Sequence, residues 1–163
     1  MSKRVEQLIQ DYPKLVMRRD CLRNQLQNFK GVTEQDMIDT MNYSTPQGDR
    51  VQTSGVSDKT ASIAIAYHEK ADRINREWVR HLVIKLAEVE DELDFFQACL
   101  SSLSPDLVPF MRDLVVERMT WDSLEAKYHI SRFTVSKYRR RAIAELDALY
   151  ADHDREVVSY ILS

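Results

Sequence analysis

The chain has 163 residues, 26 Asp or Glu against 23 Lys or Arg, a net charge of −3, three glycines and four prolines. That length holds one good core or two small modules, and the scarcity of Gly and Pro beside heavy use of Leu, Ala, Arg, Asp and Glu predicts an all-α protein. A globally basic binder is excluded, as is a helical membrane span, which needs roughly 18 uninterrupted apolar residues. The charge is segregated along the chain: residues 1–30 carry +4, 31–126 carry −9, 127–144 carry +6 and 145–163 carry −4. Such a distribution suits one basic surface offered to phosphate with acid kept elsewhere. The apolar residues near the N-terminus are broken up by charge, so no signal peptide is read and a cytoplasmic protein is expected. Cys21 and Cys99 lie far apart with no CxxC pattern and are expected as small buried thiols.

Taken in order, Val5, Leu8, Tyr12, Leu15, Leu22, Leu26 and Phe29 keep a heptad spacing that fails only at Arg19. Two readings fit: a helix packed within its own chain, or a coiled-coil face used between subunits. Pro13 predicts a kink or a fresh start, and Gly31 is placed just past the helix end. Lys3, Arg4, Arg18, Arg19 and Arg23 read as a solvated face. A short helix from Thr33 to about Thr40 comes next, capped by Thr33 and turning Met37, Ile38 and Met41 inward. Residues 43–58 have little periodicity and read as a partly ordered connection. From Asp58 to Leu103 one helix of roughly 45 residues is predicted, with Tyr67, Ala71, Ile74, Trp78, Leu82, Leu86, Val89, Leu93, Phe96, Leu100 and Leu103 on its seam. Its acidic run, Glu88 to Asp94, is the solvated face. The unmatched length of this seam predicts a homodimer, with residues 1–103 as the helical hairpin or coiled-coil module.

A break at Ser101–Pro105 opens a second module, 104–163. Ser104 is placed as a cap, and a supporting helix carries Phe110, Leu114, Val115, Arg118 and Met119. Thr120 then caps a short helix over Trp121–Lys127, and Ser131 caps another from Arg132 to about Tyr150. Val135, Tyr138, Ala142, Leu146 and Leu149 share the inner face of that last helix. Phe133, Lys137 and Arg140 share the outer face, flanked by Ser136 and Arg141. Lys127, Arg132, Lys137, Arg139, Arg140 and Arg141 fall between Ala126 and Ala144 without one Asp or Glu. A capped helix with a basic outer face, behind a short helix and a turn, is the chemistry that major-groove reading requires. Arg132, Phe133, Ser136, Lys137 and Arg140 are expected at base edges, with Phe133 suited to a thymine methyl group. Thr120, Lys127, Arg139 and Arg141 are expected on phosphates, with Ser131 and Thr134 completing the set at the helix start. Val157, Val158, Ile161 and Leu162 are expected to fold a last turn back on this module or to pack against a partner.

The order Thr120, Leu124, Ile130-Ser131, Thr134-Val135, Arg139-Arg140-Arg141-Ala142 and Leu146 resembles region 4 of bacterial sigma factors. It is closer still to the sigma-like C-terminal domains of phage late-gene regulators of the ArpU and RinA families. The strong similarity covers about thirty residues; a looser one of layout covers most of the chain. The family favours Ala where this chain has Glu125, and often Gly at the turn where it has His129, so Ala126 is expected to take the helix-crossing contact. The resemblance implies a three- to four-helix, sigma-region-4-like helix-turn-helix domain and a phage or prophage protein in a bacterial host cell. It implies action on late-gene promoters and allows recruitment of host RNA polymerase.

The four histidines form no ligand cluster, the serines lack a nucleophile-elbow frame, and no carboxylate pair stands out. No enzyme activity and no cofactor or metal are expected. The expected function is a sequence-specific regulator that binds double-stranded DNA as a homodimer. Two other classes fit less well: a small-terminase-like packaging protein, whose DNA module usually comes first, and a helical protein-binding antagonist.

Overall fold

The computed structural model describes residues 3–33, 35–37, 39 and 58–163, with side chains from residue 63 onward in the last stretch. The connection at 43–57 lies outside the described residues, as do Ile38, Thr40 and Met41. The fold is all-helical. Its main helices are α1 (Lys3–Gln27), α2 (Asp58–Ser101), α3 (Leu107–Val115), α4 (Trp121–Tyr128) and α5 (Arg132–Ile161). No helix among the described residues is long and apolar enough to cross a membrane.

Two compact units form, Met1–Asp20 with Glu88–Ser163, and Cys21–Ala87. The end of α2 shares a core with the start of α1 and with α5 in the first unit. In this first unit Tyr12 of α1 meets Phe96 of α2 at 5.6 Å between ring centres, and Gln97 donates to the Tyr12 hydroxyl at 3.0 Å. Phe95 of α2 meets Tyr150 of α5 edge-on at 4.9 Å. Ser104, expected as a helix cap, instead gives both its N–H (2.9 Å) and its hydroxyl (2.8 Å) to the Glu145 carboxylate. Helix α3 starts at Leu107, with the Ser104 carbonyl accepting from Leu107 and Val108. Pro109 sits in its first turn, where an N–H has no helical partner to lose.

Helix α3 ends at Val115, short of the expected Met119. Arg118 takes a left-handed φ of 55°, and the Met119 N–H returns to the Asp113 carbonyl at 2.9 Å. Helices α3, α4 and α5 pack on one another. Leu107, Phe110, Met111, Leu124, Val135, Ala142, Ile143 and Leu146 are each fully buried. Phe110 is their hub, meeting Tyr128 at 5.9 Å and Tyr138 at 5.4 Å, both edge-on.

Three sequence expectations give way elsewhere. Helix α1 runs through Pro13 without a fresh start; burial of Val5, Leu8 and Tyr12 on one face offsets the lost backbone bond, a loss of about 3 kcal/mol. Helix α5 continues to Ile161 rather than folding back after Tyr150, and Val157, Val158, Ile161 and Leu162 stay exposed. No Gly or Pro interrupts it, and Arg4 of α1 braces it through Asp154 at 2.9 Å. Cys99 is buried as expected, its thiol pKa raised by that burial, but Cys21 is exposed.

In the unit Cys21–Ala87, α1 ends at Gln27, four residues before Gly31. The Asn28 amide closes the end on the Asn24 carbonyl at 3.1 Å. Gly31 has a φ of 75°, and a Cβ there would lie 2.8 Å from Asn75 Nδ2. The glycine lets the backbone approach Asn75, which accepts from the Val32 N–H at 2.8 Å and donates to the Val32 carbonyl at 3.0 Å. Thr33 caps the next turn as expected, accepting from the Asp36 N–H at 3.2 Å. On α2, Ala71 and Leu82 are buried. Trp78, placed on the seam by its spacing, is half exposed and stacks on His81 at 5.3 Å.

Replacing Phe110 by Ala should destabilise the protein by about 3–5 kcal/mol in denaturant titrations, the usual loss for a fully buried phenylalanine. A loss under about 1 kcal/mol would show that the α3–α5 core does not rest on this ring.

Candidate nucleic-acid interface

Local chemistry sets the start of each helix here. Thr120, in extended backbone, accepts from the Ser123 N–H at 3.2 Å and caps α4. Ser131, also extended, accepts from the Thr134 N–H at 3.3 Å and caps α5. Between them His129 adopts a left-handed φ of 52° and ψ of 45°, and the Glu125 carbonyl accepts from both His129 and Ile130. His is one of the side chains that tolerates this left-handed conformation.

Glu125 itself takes the half-buried place at the helix crossing, while Ala126 is exposed. The rotation expected to bring Ala126 inward does not occur. The Glu125 carboxylate escapes burial by reaching toward the Arg132 guanidinium, 3.9 Å away.

The inner face of α5 is the stripe Val135, Ala142, Ile143, Leu146 and Tyr150, with Tyr138 and Leu149 half buried. Burying that stripe turns the opposite face to solvent. Phe133 is 73% exposed, and Lys137 and Arg140 are exposed beside it. Their i, i+4, i+7 spacing places them in one row along the helix. Ser136 is half buried on its flank, and Thr134 lies against the Ser131 cap at 3.1 Å.

The remaining predicted cations are occupied within the protein. Lys127 Nζ donates to Asp113 Oδ2 at 2.6 Å. Arg132 donates to Asp122 at 3.0 Å and lies over the Trp121 ring at 5.3 Å. Arg139 is turned toward Glu6 of α1 at 3.8 Å. Arg141 meets Asp106 at 2.8 Å and Glu145 at 3.4 Å. Among the described residues, Lys137 and Arg140 have no carboxylate partner. Sequence reading missed these carboxylates. Only Glu145 has a local signature, four residues after Arg141 on one helix face; Glu6 is 133 positions from Arg139 and has none.

Asp113 accepts from both Lys127 and the Tyr128 hydroxyl, each at 2.6 Å. Those bonds, Lys127 first and Tyr128 second, hold its carboxyl below the usual carboxylate range. Tyr128 responds in the opposite sense. Burial first, then its bond to the Asp113 carboxylate, pushes the phenol up to about 12.

No protein-family model, curated protein or solved structure matches the chain.

The phenol pKa gives a stability test. An unfolded tyrosine ionises near 10 and folded Tyr128 near 12, so the neutral phenol's contribution is complete below pH 10 and is lost as pH rises to about 12. Denaturant titrations should show the stability difference between the wild type and Tyr128→Phe falling across that interval. A difference independent of pH would show that the phenol ionises normally in the folded protein.

Proposed function

We propose that this chain is a sequence-specific, double-stranded DNA-binding transcriptional regulator in which α4 and α5 act as a helix-turn-helix. The observation that carries the proposal is the row Phe133, Lys137 and Arg140. It is exposed, free of acid, and held by a capped helix whose other face is buried. A helix of this kind fits the B-DNA major groove, about 12 Å wide, with its N-terminal residues toward base edges. Arg132, Phe133, Ser136, Lys137 and Arg140 are the proposed reading set. Thr120, Lys127, Arg139 and Arg141 lie around it as the proposed phosphate-contacting set, with the Ser131 and Thr134 hydroxyls at the helix start.

The resemblance to ArpU- and RinA-type regulators supports a phage or prophage late-gene activator working in the bacterial cytoplasm beside host RNA polymerase. A homodimer on a repeated or palindromic site fits the apolar side chains left exposed on α2, Ile63, Ile65, Val83 and Ile84. Neither proposal requires a cofactor or a catalytic group.

Lys137→Ala should weaken binding to duplexes selected from a random pool and relax preference at one base position, at about 1–3 kcal/mol for a base-specific contact. Arg140→Ala should do the same at a neighbouring position. Unchanged affinity and sequence profile in both variants would remove this face from DNA recognition.

A further inference from the structure

The pairing of the cations around the reading row has a pattern of its own. Lys127, Arg132, Arg139 and Arg141 each meet a carboxylate, at 2.6, 3.0, 3.8 and 2.8 Å. The carboxylates Glu6, Asp106, Asp113 and Asp122 come from α1, the residue preceding α3, α3 itself and α4. The two cations in the centre of the row, Lys137 and Arg140, have none among the described residues. Neutralisation thus surrounds the row and spares it.

Resting on the DNA-binding proposal, we infer that Asp106 and Asp122, with Glu6 and Asp113 behind them, are specificity determinants that suppress attraction to phosphate. Non-specific duplex affinity comes from cations that displace condensed counterions, with a salt slope of about −0.9 for each phosphate neutralised. A guanidinium already matched by a carboxylate contributes little to that count, because the pair presents almost no net charge to the duplex. Preference among bases comes from the shape and hydrogen bonds of Phe133, Lys137 and Arg140 at base edges, which the carboxylates leave in place, whereas Arg132 reaches the duplex only when its pair with Asp122 opens. The carboxylates therefore lower affinity for every duplex while leaving base discrimination in place, which raises the ratio of selected to unselected binding. They also fix the side chains they hold: the Arg132 guanidinium is kept between Asp122 and the Trp121 ring.

Asp122 and Asp106 are the residues to test, because their side chains are 85% and 45% exposed and their loss leaves the core untouched. Full-length wild type, Asp122→Asn, Asp106→Asn, the double variant and Asp122→Glu would be titrated onto a selected duplex and a scrambled duplex of equal length. Salt would run from about 50 to about 300 mM, with thermal melts confirming equal folding. With two uncompensated cations, the wild type should show a slope near −2 per bound copy on the scrambled duplex, against about −5 if all six were free. Asp122→Asn, which leaves Arg132 only the 3.9 Å approach to Glu125, should steepen the slope by about one and tighten scrambled binding roughly five-fold at about 0.15 M salt. Asp106→Asn, which leaves Arg141 beside Glu145 at 3.4 Å, should act in the same direction by less. The selected duplex should gain less, so that discrimination falls. Asp122→Glu should keep the wild-type slope.

A wild-type slope near −5, or Asn variants with unchanged slope and discrimination, would overturn the inference while leaving DNA binding standing. Failure of the wild type and all variants to bind any duplex would overturn the DNA-binding proposal and the inference together.

Discussion

Burial of Val135, Ala142, Ile143 and Leu146 against α3 and α4 fixes the rotation of α5 about its own axis, and the rest of the candidate site depends on that rotation. Each of these side chains is fully out of water, at about 1.5–3 kcal/mol for a Val, Leu or Ile. A turn of the helix large enough to hide Lys137 or Arg140 would expose several of them at once. The two caps, Thr120 and Ser131, then set where α4 and α5 begin, and His129 supplies the left-handed residue that joins them. Position, rotation and start of α5 are thus fixed by three separate interactions, none of which involves the cations themselves.

This separation lets the surface charge be arranged without cost to the fold. Surface ion pairs contribute about 0–1 kcal/mol each, far less than the core beneath them, so the carboxylates around the row Phe133, Lys137 and Arg140 are poor candidates for holding the domain together. Asp113 is the exception, since its side chain is only 13% exposed and it accepts from Lys127 and Tyr128 together. There the acid joins α3 to the end of α4 as well as neutralising a lysine. The net charge of −3 and the basic run at 127–144 are compatible because that run is wrapped in acid from distant parts of the chain.

What could be read from the sequence was what short-range chemistry decides. Thr and Ser three residues before a backbone N–H announced both caps, and 3.6-residue spacing announced the inner stripe of α5 and the long run of α2. What could not be read depended on distant partners. Pro13 predicts a break when taken alone, but Val5, Leu8 and Tyr12 find a buried face and the helix persists. The acidic stretch after Tyr150 loses apolar periodicity, yet no Gly or Pro interrupts it and α5 continues, with Arg4, 150 residues away, meeting Asp154 beside it. Ser104 had the chemistry of a cap, but Glu145 claimed both its donors. For the site, the row Phe133, Lys137 and Arg140 was visible because it lies on one helix; the carboxylates that meet the neighbouring cations, Glu145 aside, were not, because they come from other elements.

The most direct test of the central claim is amide hydrogen exchange of the full-length chain with and without a duplex selected from a random pool. If α5 reads DNA, the duplex should slow exchange from Thr120 through Arg141, most strongly around the α5 start, with α2 unaffected away from any contact between copies. Protection confined to α2, or no change anywhere while the duplex is bound, would contradict the account and move the working surface to the long helices.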